Sequence, residues 1–197
     1  MTDPAQKPVG PVVVRKYGGS SLADIPRLRE VARDLRRARE EGLQLVVVVS
    51  AMGDQTDRLA GLAREANPEP PRRELDMLLT VGERTTMSLL CMALAAEGVP
   101  AVSFTGSQAG ILTDASHNDA QIVAVRPIRL PEALAAGKVV VVAGFQGVSE
   151  QTKEITTLGR GGSDTSAVAL AHALGAVRCE ILKDVPGVMT ADPKRVP

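Results

Sequence analysis

Leu43-Gln44-Leu45-Val46-Val47-Val48-Val49 is an almost unbroken apolar run dominated by β-branched residues. A strand with one wet face alternates polar and apolar side chains. A strand covered on both faces does not, and such coverage marks a parallel sheet with helices on either side. The preceding segment fits that reading. Asp24 is placed to cap a helix, Pro26 sits in its first turn, and Ile25, Leu28, Val31, Ala32 and Leu35 recur at helical spacing until Gly42 ends it. Ahead of that helix, residues 12–14 form a short apolar strand that runs into the polar turn Arg15-Lys16-Tyr17-Gly18-Gly19-Ser20-Ser21. Strand, helix, strand is the opening unit.

The alternation continues downstream. After the loop Ser50-Ala51-Met52-Gly53 comes a short helical stretch, and Asn67-Pro68-Glu69-Pro70-Pro71 then marks a surface loop too short to separate domains. Residues 73–97 read as one long helix, interrupted or bent near Gly82, with Gly98 beyond its end. Residues 101–104 and 138–143 are strand candidates with a short helix at 131–136 between them, and a helix at 163–174 precedes a strand at 179–182. The pattern predicts an α/β fold, a three-layer αβα sandwich with a mostly parallel central sheet. Residues 12–197 are expected to form one domain behind a flexible segment at 1–11.

With 197 residues and 44% hydrophobic content the chain can bury a substantial core. Aromatic residues make up only 2%, so that core must be built from Val, Leu, Ile and Ala. Lys plus Arg and Asp plus Glu both number 23, and the zero formal charge excludes a global field drawing the chain to nucleic acid or an anionic membrane. Cys91 and Cys179 match no metal or redox spacing and read as free buried thiols in a reducing compartment. The polar, proline-containing start lacks a signal core, and no stretch approaches the roughly 18 apolar residues of a membrane span, so a cytoplasmic protein is expected.

In open α/β sheets ligands sit at the carboxyl ends of strands, so the loops that follow strands carry the chemistry. Three such loops stand out. In Lys16-Tyr17-Gly18-Gly19-Ser20-Ser21, paired glycines allow backbone N–H groups close to an anion and Lys16 adds a point charge, although a plain tight turn with a solvated lysine reads the same way. In Gly159-Arg160-Gly161-Gly162-Ser163-Asp164-Thr165-Ser166, Ser163 can cap the following helix with Asp164 and Thr165 in its first turn. Capping does not explain Arg160 between glycines, a setting that suits two-point capture of a carboxylate or phosphate. The third, residues 183–194, follows a strand and mixes a turn with several charges. His117 in a polar loop and His172 in an apolar helix read as surface or locally hydrogen-bonded side chains without a catalytic role. A GxxxxGK[ST] loop is missing, which excludes P-loop chemistry, and the absence of GxGxxG after the first strand disfavours a dinucleotide oxidoreductase.

These motifs resemble those of the aspartate kinases, within the amino acid kinase superfamily. Lys16-Tyr17-Gly18-Gly19-Ser20-Ser21 is similar to the family's opening K-[FY]-G-G-[ST]-S, and Gly82-Glu83 to its helical G-E pair. Phe145-Gln146-Gly147 with Thr156-Thr157-Leu158-Gly159-Arg160-Gly161-Gly162-Ser163-Asp164 is similar to the central signature. Asp184-Val185-Pro186-Gly187 with Thr190-Ala191-Asp192-Pro193 is similar to the nucleotide loop, so the resemblance runs in order from about residue 12 to the last.

The resemblance implies transfer of the γ-phosphoryl of ATP, carried with Mg²⁺, to the β-carboxylate of L-aspartate. It assigns Lys16 to the moving phosphoryl, with Gly18, Gly19 and Ser20 as donors around it. Asp164 would orient the cationic groups, and Lys183, Asp184, Met189 and Lys194 would contact the nucleotide. Arg160 would clamp a substrate carboxylate and Glu83 would pair with the α-ammonium, with Ser50 and Ser163 nearby. Lys183 stands where the family usually has Thr, Met189 where an aromatic residue is common, and Lys194 where Arg is typical, which bears on nucleotide affinity and base preference. The family's remaining kinase segment and its paired ACT regulatory domains do not appear before Pro197, so a truncated catalytic portion is expected. A homodimer is implied by analogy. The rival readings are a kinase for another carboxylate such as N-acetylglutamate, and a non-catalytic regulatory module with the same fold.

Overall fold

The computed structural model describes residues 10–183. Along them the chain forms β1 (Val12–Tyr17), a 3₁₀ turn (Ser20–Leu22), α1 (Ile25–Glu40), β2 (Gln44–Val49), α2 (Gln55–Ala66), α3 (Arg72–Leu79), α4 (Val81–Ala96) and β3 (Ala101–Phe104). There follow β4 (Ile111–Thr113), β5 (Ile122–Val125), α5 (Arg129–Ala135), β6 (Val139–Ala143), β7 (Gln146–Ser149), β8 (Ile155–Thr157), α6 (Gly162–Ala173) and β9 (Arg178–Leu182).

Among the described residues the central sheet has the order β3-β6-β2-β1-β9, with every pairing parallel. Residues 45–49 of β2 are fully buried, as the apolar run requires. Alternate side chains of that strand serve two different cores. Leu45, Val47 and Val49 pack with Leu28 and Leu35 of α1 and Leu90 and Leu94 of α4. Val46 and Val48 pack on the other face with Leu130 and Leu134 of α5 and Ala167 and Leu170 of α6. Burying each such side chain is worth about 1.5–3 kcal/mol relative to exposure, so the three layers hold without aromatic mass.

Several expected boundaries move. β1 extends to Tyr17, which puts Arg15 and Lys16 inside the strand rather than in the turn. Asp24 caps α1 as expected, accepting a hydrogen bond from the backbone N–H of Arg27 at 2.9 Å, but Ile25 is 44% exposed and belongs to no core stripe. The long helix at 73–97 is two helices broken at Thr80, two residues before Gly82. The Thr80 carbonyl accepts from Gln146 Nε2 at 3.3 Å, and Gly82 approaches Ala51 so closely that a Cβ there would lie 2.7 Å from the Ala51 Cβ. The break therefore answers to packing at both sides.

Read together as Arg72–Ala96, α3 and α4 make a 25-residue stretch long and apolar enough, by length and composition alone, to cross a membrane. This corrects the expectation that no segment approaches such a span. Met87, Leu90 and Leu94 face the sheet and are buried, the way a core helix meets the same criterion.

Helix α6 begins one residue earlier than expected, and its N-cap is Gly161 at φ +78°, not Ser163, which lies inside the first turn. A left-handed cap residue explains the glycine. A second sheet, β5-β4-β7-β8, was not anticipated; it is mixed, and its strands are three or four residues long. Cys91 and Cys179 are free, but half-buried rather than buried. Residues 1–9 of the expected flexible segment lie outside the described residues, as do Asp184, Met189 and Lys194.

Candidate active site

A cleft of about 360 Å³ opens at the carboxyl ends of β1, β2, β6 and β9, where a parallel sheet is expected to receive its ligand. Lys16 is the penultimate residue of β1, in register with Val48 on one side and Ile181 on the other. It is only 6% exposed, and its Nζ lies 2.7 Å from Oδ1 of Asp164 in the first turn of α6. Lys183, directly after β9, brings its Nζ to 2.8 Å from Oδ2 of the same carboxylate. Burial pushes the Asp164 pKa up, but the two ammonium groups outweigh it and hold the carboxyl below its usual range. Two cations share one anion, which leaves a net positive charge beside a helix N-terminus.

The glycines of the first turn serve close approach. A Cβ at Gly19 would lie 2.7 Å from the Ala51 carbonyl oxygen, and the Gly19 carbonyl accepts from the Gly53 N–H at 3.1 Å. The turn after β1 and the loop after β2 are thereby locked together. Ser50 and Gly19 line the cleft; Gly18 and Ser20 do not. A Cβ at Gly18 would still be only 3.7 Å from Lys16 Nζ, while the Ser20 carbonyl accepts from the Arg27 guanidinium, away from the cleft.

Glu83, in the first turn of α4, supplies the opposite chemistry. It is 3% exposed; Oε1 accepts from the Ala51 N–H at 3.2 Å, and buried Oε2 has no donor among the described residues. Burial pushes its pKa up to about 7 against the backbone hydrogen bonds that favour the charged form. An acceptor lodged in a cleft without a partner is costly unless a ligand supplies one.

Ser163 is 8% exposed and packs so near Gly144 that a Cβ there would lie 2.8 Å from its own. Arg160 differs from the expectation: it is exposed on the turn before Gly161, and it is Gly161 and Gly162, not the arginine, that line the cleft. The structure thus brings Lys16, Gly19, Ser50, Glu83, Ser163, Asp164 and Lys183 together and leaves Gly18, Ser20 and Arg160 at the margin. Thr56 and Phe145 also line it; neither was given a site role, although Phe145 belongs to the Phe145-Gln146-Gly147 motif. Phe145 adopts φ +66°, rare for a non-glycine residue, and this backbone conformation has no residue-type signal to find. Thr56 sits in the first turn of α2 and carries no motif.

A family model, the amino acid kinase family, matches residues 11–197. The aspartokinase of Mycolicibacterium smegmatis is 57% identical over 186 residues, 94% of this chain and 44% of the relative. Among solved structures, aspartate kinase from Synechocystis superposes with a TM-score of 0.80 at 52% identity, covering 94% of this chain and 30% of that one. Aspartokinase III of E. coli, solved in complex with aspartate and ADP, superposes with a TM-score of 0.81 at 26% identity, covering 93% of this chain and 51% of that one. The chain spans less than half the length of the curated relative and about half or less of these structures.

Proposed function

Since the chain belongs to the amino acid kinase family, we propose that it is the catalytic portion of an aspartate kinase, which transfers the γ-phosphoryl of ATP to the β-carboxylate of L-aspartate. The observation that carries this reading is one cleft with opposite chemistry in its walls: the Lys16–Asp164–Lys183 group, and the buried, half-partnered carboxylate of Glu83. Aspartate offers an ammonium to the second, and the phosphates of ATP offer anions to the first. The aspartokinase relatives at more than half identity, and the aspartate and ADP bound by the E. coli enzyme, support the same pair of ligands.

A β-carboxylate oxygen attacks the γ-phosphorus, the bond to the β,γ-bridging oxygen breaks, and ADP leaves. The attacking carboxylate is already ionised at neutral pH, so no strong general base is needed and positioning dominates. Lys16 neutralises charge on the transferring group, and the N–H groups at the start of α6 add a positive dipole end. Asp164 ties buried Lys16 and exposed Lys183 to one carboxylate and so sets the separation of the two ammonium groups. Glu83 and Ser163 orient the acceptor, and Arg160, exposed at the margin of the cleft, would have to turn inward to meet its carboxylate. Among the described residues no three His, Cys, Asp or Glu side chains converge as a metal cage. Mg²⁺ would arrive on the nucleotide phosphates and would supply charge neutralisation at the phosphoryl oxygens.

The test is ADP release with L-aspartate, N-acetyl-L-glutamate or UMP as acceptor. Turnover is expected with L-aspartate alone. Release with N-acetyl-L-glutamate at an equal rate would remove the pairing role of Glu83 and with it this assignment.

A further inference from the structure

Outside the cleft, Asp76 in the last turn of α3 is fully buried and accepts hydrogen bonds from side chains on two other segments. Its Oδ2 receives His117 Nδ1 at 2.6 Å; its Oδ1 receives Asn118 Nδ2 at 2.6 Å and the hydroxyl of Thr157 in β8. The Asn118 backbone N–H adds a contact at 3.2 Å. A carboxylate at a helix C-terminus opposes the helix dipole, and a buried one costs desolvation. Stability of α3 is therefore no reason for an aspartate here.

We propose that Asp76 is a positioning residue for the acceptor amino acid, fixing Glu83 and the turn that carries Arg160 at one separation. The proposal rests on the reading of the cleft given above. α3 runs through the break at Thr80 into α4, so Asp76 lies seven positions before Glu83 along the chain. Thr157 lies two positions before Gly159, whose left-handed φ of +71° starts the turn with Arg160. The Asn118 segment closes on the same point: a Cβ at Gly159 would lie 3.3 Å from the Asn118 carbonyl oxygen, and Ala120 N–H donates to the Thr157 carbonyl at 2.9 Å. One carboxylate grips the element behind Glu83, the strand ahead of Arg160, and the loop packed on the turn between them.

The experiment is calorimetric binding of L-aspartate and of ADP to the 197-residue chain, wild type, Asp76→Asn and Thr157→Val, with amide hydrogen exchange on the same proteins. Misplacing a contact by about 1 Å costs on the order of 100-fold, so a partial release is expected to weaken L-aspartate about tenfold in Asp76→Asn and about threefold in Thr157→Val. The ADP dissociation constant should stay within about twofold, a split that general destabilisation would not give. Exchange at residues 158–162 should quicken about tenfold while β2 and β6 stay protected. Equal losses for both ligands, or unchanged L-aspartate binding in the folded variants, would overturn the proposal. Thr157→Val, close to isosteric, carries the test if Asp76→Asn does not fold. If the wild type binds no L-aspartate, the functional reading fails by itself, and the exchange arm still judges the positioning role: unaltered protection at 158–162 overturns it.

Discussion

Glu83 shows most clearly how a single residue couples environment to chemistry. Burial raises its pKa to about 7, so it gains its charge across the neutral range rather than near 4.5. Only the charged form pairs with an ammonium. The KM for L-aspartate is therefore expected to rise as pH falls below about 7, approaching tenfold per unit, and Glu83→Gln should have a high KM with no such slope. The stability sign is opposite. A folded pKa above the unfolded one contributes stability that is present at low pH and lost as pH rises through about 7. The stability advantage of Glu83→Gln over wild type, read from urea midpoints, should grow between pH 5 and pH 8; no growth would refute the burial account. Of the residues named from sequence, Lys16, Glu83, Ser163 and Asp164 meet in the cleft because backbone position alone decides where short or strand-borne groups go. Arg160 shows the limit of that reasoning, since its motif fixes the turn but not where a long side chain points.

At the scale of elements, β2 and α1 were legible because burial on both faces and a 3.6-residue stripe each leave a pattern in residue type. The strands β4, β5, β7 and β8 were not, because three or four residues hold too few alternations to separate a strand from a loop. The bend at Thr80 was placed near Gly82, yet its cause, the meeting of Gly82 with Ala51 and the hold of Gln146 on Thr80, lies in tertiary contacts. That meeting supports a prediction. Gly82→Ala forces the new methyl against Ala51, from which Glu83 receives its N–H, so about 1–3 kcal/mol of stability and about tenfold in L-aspartate affinity should be lost. Asp24→Ala is the control: it removes the cap of α1 at a cost of about 1 kcal/mol and should leave L-aspartate affinity unchanged. Denaturation midpoints and calorimetry on both variants separate the two outcomes.

Across the whole molecule, the parallel sheet gathers side chains that are distant in sequence onto one edge. Lys16 and Lys183 stand 167 positions apart, yet both flank Asp164 because β1 and β9 are neighbours. Sequence spacing could not have ordered the strands β3-β6-β2-β1-β9, but the rule that ligands meet the carboxyl ends of parallel strands located the cleft before their order was known. The account depends on the cationic group and Glu83 serving one reaction from one cleft. The most direct measurement is aspartyl hydroxamate formation from ATP as L-aspartate is raised, for wild type, Lys16→Ala and Glu83→Gln. Product from the wild type, none from Lys16→Ala at any concentration, and recovery of Glu83→Gln only at high L-aspartate is the expected result. Equal hydroxamate yields from all three would contradict it.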